Sequence, residues 1–97
     1  MVIVEVRYEL KEGYRKAFYD RLVSEGIGDA SRNDEGNEKY DYYFDPENEN
    51  EMILLEHWAD AESLRKHSQA EHMKKMAAFR SDYVIRSTIH RFESKEF

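Results

Sequence analysis

Cysteine is absent from the chain, which removes disulfide scaffolds, thiolate metal sites and cysteine nucleophiles together. One proline and four glycines in 97 residues leave no room for a linker or a low-complexity tract. No apolar run approaches the roughly 20 residues that span a bilayer. The start, Met1-Val-Ile-Val-Glu-Val, lacks the basic flank and long apolar core of a signal peptide, so the expected location is the cytoplasm. Basic groupings are scarce as well. Lys74-Lys75 and the stretch from Arg86 to Arg91 stand among acidic neighbours in a chain of net charge −6, so nucleic acid is not an expected partner. No glycine-rich phosphate loop, Gly-x-Gly-x-x-Gly or Gly-x-Ser-x-Gly occurs, which excludes the usual nucleotide, flavin and hydrolase signatures.

What is present is a folded, highly solvated composition: 40% hydrophobic and 37% charged residues, with seven Tyr and five Phe. The length suits one domain over residues 1–97. A core of this size buries only about 60–65% of the unfolded surface, and a second subunit often completes it.

Val2 to Tyr8 alternates as a strand, with the valines and Tyr8 on one face. Tyr14, Phe18 and Leu22, widened by Val23 and Ile27, form a helical stripe that Gly26 and Gly28 end. Asp29 to Asn37 reads as a polar loop carrying the turn Asp34-Glu35-Gly36-Asn37. Tyr40–Phe44 and Met52–Trp58 read as a hairpin across Asp45-Pro46 and an acidic, Asn-rich loop. Asp60 caps a short helix with Ala61, Leu64 and His67. Ser68 and Glu71 fit a capping box for a second helix through about Ser81. Val84 to Phe92 is the last strand, and Glu93 to Phe97 a charged tail.

The order β-α-β-β-α(α)-β implies an α+β sandwich with its helices on one sheet face. The third strand is apolar on both faces, with Met52, Leu54 and Trp58 on one and Ile53 and Leu55 on the other. A solvated antiparallel sheet alternates cleanly, so the second face calls for a cover, and sheet-to-sheet homodimerisation is the simplest.

Candidate chemistry concentrates between Leu54 and His72. Alternation puts Leu54, Glu56 and Trp58 on one face and His57 on the other. Buried beside an indole, Glu56 would have a raised pKa and could act as a general base. It could equally accept a structural hydrogen bond from a tyrosine, a backbone amide or Arg86. His67 falls on the apolar side of its helix. His72 lies in the first turn of the next, where the dipole disfavours imidazolium. A helix break separates the two histidines, so no metal is expected there. Tyr40, Tyr42 and Phe44 share a strand face, serving either as core or as the wall of a flat aromatic pocket.

Three patterns, in order, resemble the antibiotic-biosynthesis monooxygenase family. They are Glu35-Gly36-Asn37-x-x-Tyr40, then Leu55-Glu56-His57-Trp58 followed by Ala-Asp-Ala-Glu-Ser-Leu, then His67-Ser-Gln-Ala-Glu-His72. The resemblance implies a ferredoxin-like dimeric α+β barrel, with a pocket between sheet and helices in each subunit. It also implies oxidation of small phenolic, anthrone or quinol-type substrates by molecular oxygen, with no cofactor. On that likeness Trp58 lines the pocket, His67 and His72 fill a His-x4-His pattern, and Glu56 is the strand carboxylate. Glu56 or His72 is then the expected base, with His67 beside them and Trp58, Tyr40 and Tyr42 shaping the cavity. Leu54 stands where one oxygenase branch has an asparagine. Val6 and His67 replace the Asn and Trp of the haem-degrading branch, which disfavours haem degradation. The family also holds isomerases of small sugar-like phosphates, for which Arg86 would supply a cation, and stress-response proteins of unclear chemistry. An isomerase or processing enzyme for a small polar metabolite, and a non-catalytic dimeric binding or stress-response protein, are the alternatives.

Overall fold

A computed structural model describes residues 1–95. The last two residues of the expected tail, Glu96 and Phe97, lie outside the described residues. The elements are β1 (Val2–Leu10), α1 (Arg15–Ser24), α2 (Ile27–Arg32), β2 (Asn37–Phe44), β3 (Glu51–Trp58), α3 (Ala61–Ser68), α4 (Glu71–Arg80) and β4 (Val84–Glu93). The strands form one antiparallel sheet in the order β2-β3-β1-β4. This is the α+β sandwich expected from the element order, in the ferredoxin-like form that the family resemblance implies.

β1 shows why the layers form. Val2, Val4, Val6, Tyr8 and Leu10 are buried while the residues between them are half-exposed, the signature of a strand with one face on the core. Against that face pack Phe18 and Leu22 of α1, Ile27 of α2, and Met76 and Phe79 of α4. On β3 the same face carries Met52, Leu54, Glu56 and Trp58, all buried. Ile53 and Leu55 occupy the outer face, as the pattern predicts, and Ile3 of β1 and Phe92 of β4 join them there.

Two local expectations are overturned. The loop from Asp29 holds α2, because Gly26 takes a left-handed turn (φ 70°) that ends α1 and lets the chain re-enter a helix at Ile27. Ser31 is buried in α2 and returns its hydroxyl to the Ile27 carbonyl at 2.8 Å. Secondly, Ser68 does not cap α4. Its hydroxyl donates to the Arg65 carbonyl at 2.7 Å and belongs to the end of α3. α4 starts behind Ala70 with no side-chain cap. The cap expected at Asp60 does form, its carboxylate accepting the Ser63 amide at 2.8 Å.

Candidate functional site

Strand register builds the site floor in parallel rows. Tyr40, Glu56, Val4 and Arg91 sit opposite one another across β2, β3, β1 and β4 on the helix-facing side. The next row is Tyr42, Leu54, Val6 and Ile89, and the one after it Phe44, Met52, Tyr8 and Ser87. The roof comes from α3 (Leu64, His67) and α4 (Met73, Met76, Ala77, Arg80). Between floor and roof lies a cavity of about 810 Å³. Ile89 lines it yet is 64% exposed, so the cavity is open along β4 and closed at the β2–β3 end.

Glu56 stands at the closed end and is 5% exposed. Its Oε1 accepts the Trp58 indole N–H at 3.0 Å, and His67 Nε2 lies 3.8 Å from the same oxygen. Burial pushes the Glu56 carboxyl up to about 7, against the smaller opposing effect of the indole bond. Tyr40, Tyr42 and Tyr8 are pushed well above the ordinary phenol value, chiefly by burial. They stay protonated at neutral pH and can only donate or accept hydrogen bonds. The buried Tyr40 and Tyr42 hydroxyls have no well-formed hydrogen bond among the described residues. Tyr40 contributes to the cavity lining, while its hydroxyl is enclosed by protein.

Behind Glu56 the two histidines converge. His67 Nδ1 and His72 Nε2 lie 2.7 and 2.8 Å from one oxygen of Asp34. The carboxylate is an acceptor, so both nitrogens donate to it, and the second nitrogen of His67 is left facing Glu56 as an acceptor. Burial also lowers the His67 pKa against the pull of Asp34, which keeps the ring neutral. The His67 ring lies over Trp58, with centroids 4.5 Å apart, and meets the edge of Tyr40. The result is a chain Asp34–His67–Glu56 running from the surface into the cavity.

Asp34 is held there by the turn that follows it. Asn37 N–H bonds to the Asp34 carbonyl, and Ala59 N–H to the Gly36 carbonyl. Gly36 takes φ 82° directly under Ser63 of α3, where a Cβ would collide with the Ser63 side chain. Only glycine fits that contact. Sequence reasoning saw this turn and missed the role of Asp34, because turn chemistry alone explained the residue. It also separated His67 from His72 at the helix break, whereas the short link through Gln69 and Ala70 turns α4 back and brings the rings within 5.6 Å. Asp34, His67 and His72 together offer three donor atoms within 4.8 Å of one another, a set that could hold a metal ion.

The remaining expected residues are spread more widely. Leu54 and Tyr40 line the cavity, as do Glu56 and His67. Trp58 is fully buried and reaches the site through its bond to Glu56. His72 touches it through Asp34. Tyr42 packs between Tyr40 and Tyr19. Phe44 lies farther out, under the Arg15 guanidinium at 4.3 Å and edge-on to Tyr19. Arg86 is on the opposite sheet face, paired with Glu9 at 2.7 Å, because the β1–β4 register places it outward. It is not part of this cavity.

The fold is a ferredoxin-like sheet with a helix-roofed cavity, a buried carboxyl at its closed end and two histidines behind it. The sequence pattern of the antibiotic biosynthesis monooxygenase family matches residues 1–78, and the chain belongs to that family. It is 27% identical over 78 residues, 80% of each chain, to the Bacillus subtilis (strain 168) protein named "Putative monooxygenase YcnE". Its fold is shared with a Nitrosomonas europaea protein that carries the family's name, at TM-score 0.87 and 15% identity, with 97% of this chain and 98% of that one covered. A conserved protein from Methanosarcina mazei Go1 matches equally well, at TM-score 0.87 and 23% identity, with 97% and 92% covered. At these identities the structural likenesses bear on the fold alone.

Proposed function

We propose that the chain is a monooxygenase acting on a small planar aromatic or quinol-type compound, with molecular oxygen as co-substrate and no bound cofactor. The family and its named relative support the coarser statement, a monooxygenase-like function. One observation carries the finer reading: a carboxyl buried at the closed end of the cavity, raised to about 7, with a neutral imidazole behind it.

The residues fit the needs of such a reaction. Ionised Glu56 takes a proton from the substrate, and His67 lies behind it to accept that proton with Asp34 steadying the ring. Val4, Val6, Leu54 and Met73 hold a flat ring and keep water away. Tyr40 shapes the wall of the cavity beside Glu56. For an anthrone-type compound, loss of a C–H proton leaves a delocalised anion, which gives one electron to oxygen. The radical pair closes a carbon–oxygen bond and, on return of the proton, forms a hydroperoxide. Loss of a second C–H proton and the distal hydroxide leaves a ketone and water. One oxygen atom stays in the product, and the substrate supplies every electron.

An isomerase of a small phosphorylated metabolite would need fixed cations to hold the phosphate. Arg86, expected to supply one, faces away from the cavity, and the floor of Val4, Val6 and Leu54 suits a flat apolar ring rather than a small polar chain. We propose also that two copies associate through the outer sheet face, where Ile3, Ile53, Leu55 and Phe92 stand among Glu5, Arg7 and His57. Oxygen uptake with a panel of quinols and anthrones tests the chemistry, comparing wild type with Glu56→Gln and His72→Ala. Turnover of at least one compound, lowered by Glu56→Gln, is expected. Silence across the panel, or turnover indifferent to both changes, contradicts the proposal.

A further inference from the structure

The cavity has a second polar feature at the end opposite Glu56. Arg91 and Arg80 both line it, and among the described residues neither guanidinium has a carboxylate within 4 Å. Most other arginines of the chain do have one. Arg7, Arg21, Arg32, Arg65 and Arg86 all pair with Asp or Glu, and on the cavity rim Glu62 neutralises Arg65. In a chain of net charge −6, two uncompensated cations on one cavity wall are a distinct local charge. Arg80 is anchored: its guanidinium donates to Ser87 Oγ on β4. Arg91 stands four positions along the same strand face, with Ile89 between them.

Register fixes how these cations stand to the base. Glu56 pairs with Val4, and Val4 with Arg91, so base and cation share one row with a single valine between. Strands lie about 4.8 Å apart, which puts the two backbones roughly 10 Å from each other across the row. A fused two-ring aromatic bridges a gap of that order while lying flat on Val4, Val6 and Leu54.

We propose that Arg91, seconded by Arg80, selects substrates carrying an anionic group such as a carboxylate on the ring end opposite the acidic proton. The inference rests on reading Glu56 as the base, and it names the substrate class of the same site. It gives the open side of the cavity a role. The apolar body enters first, the proton-bearing end reaches Glu56 and Tyr40, and the anion stays at the β4 edge where solvent and guanidinium meet. A carboxylate on the Arg91 guanidinium makes charge-assisted hydrogen bonds, which discriminate more sharply than the apolar walls do, and Arg80 adds positive charge to the same wall.

The test measures binding, so it is independent of turnover. Calorimetry on the full chain compares 6-hydroxy-2-naphthoate with 2-naphthol, which carries the same phenol and ring but no carboxylate. Wild type should bind the carboxylate at least about tenfold more tightly, a margin that shrinks as salt rises. Arg91→Gln should bring the two affinities together, Arg80→Gln should narrow the margin, and Arg91→Lys should keep part of it. Arg91 is exposed, so these variants are expected to fold, which circular dichroism checks. Equal binding of both probes by wild type, or a margin that survives Arg91→Gln, overturns the proposal. Oxygen uptake with only neutral compounds would leave the oxygenase reading standing and remove this one.

Discussion

Glu56 is disfavoured as an anion by burial, and the same burial makes it useful as a base. Its carboxyl titrates near 7 in the folded chain, above the ordinary glutamate value of 4.5. A raised folded-state pKa adds stability that is fully present below about 4.5 and is lost as pH rises through about 7. The size of the shift corresponds to about 3 kcal/mol. Urea unfolding should therefore show wild type losing about that much relative to Glu56→Gln between those pH values. A constant difference across the range would mean that Glu56 is not desolvated as described. Asp34 acts at one remove, by holding the His67 ring. Asp34→Asn keeps the shape but loses the charged acceptor, so kcat should fall by about tenfold or more with little change in KM. A change confined to KM would place Asp34 in substrate binding instead.

At the scale of elements, the turn before β2 and the start of α3 are one unit. Gly36 sits in left-handed backbone beneath Ser63, and the Gly36 carbonyl accepts the Ala59 amide at 2.8 Å. Gly13 has a similar φ, 78°, with nothing near its absent side chain. Gly13→Ala should therefore cost only the backbone penalty, about 1 kcal/mol, and Gly36→Ala about 2 kcal/mol or more, with part of the activity lost as Asp34 shifts. Equal costs in thermal unfolding would show that the Ser63 contact does not matter. The same comparison shows what a sequence can reveal. Strand alternation in Met52–Trp58 put Glu56 on one face with Leu54 and Trp58 and His57 on the other, because period-two patterns report which residues share a face; the structure makes the Glu56 face the core side. Tyr8, Arg80 and Arg91 went unremarked as cavity residues, since their meeting depends on β1–β4 register, a contact between the two ends of the chain. Asp34 was hidden for the same reason: it meets His67 33 residues later in sequence. The second helix, α2, escaped because six residues carry too little periodicity against a glycine-rich flank.

At the scale of the whole molecule, the helix layer covers one sheet face and leaves β4 at the cavity mouth. The outer face presents Ile3, Ile53, Leu55 and Phe92 in adjacent strands. Light scattering in solution should give a dimer, and Leu55→Lys should shift it toward monomer. A wild-type monomer would contradict association through this face. The fold serves one purpose in this account: it buries a carboxylate at the closed end of a cavity and keeps it ionisable near neutral pH. The most direct measurement is the rate of oxygen uptake on a responsive anthrone or quinol across pH 5 to 9. Wild type, after subtraction of the uncatalysed rate, should rise through about pH 7 as Glu56 ionises. Glu56→Gln should fall by about a hundredfold and lose that step. A Glu56→Gln enzyme that keeps both the wild-type rate and the step would contradict the account.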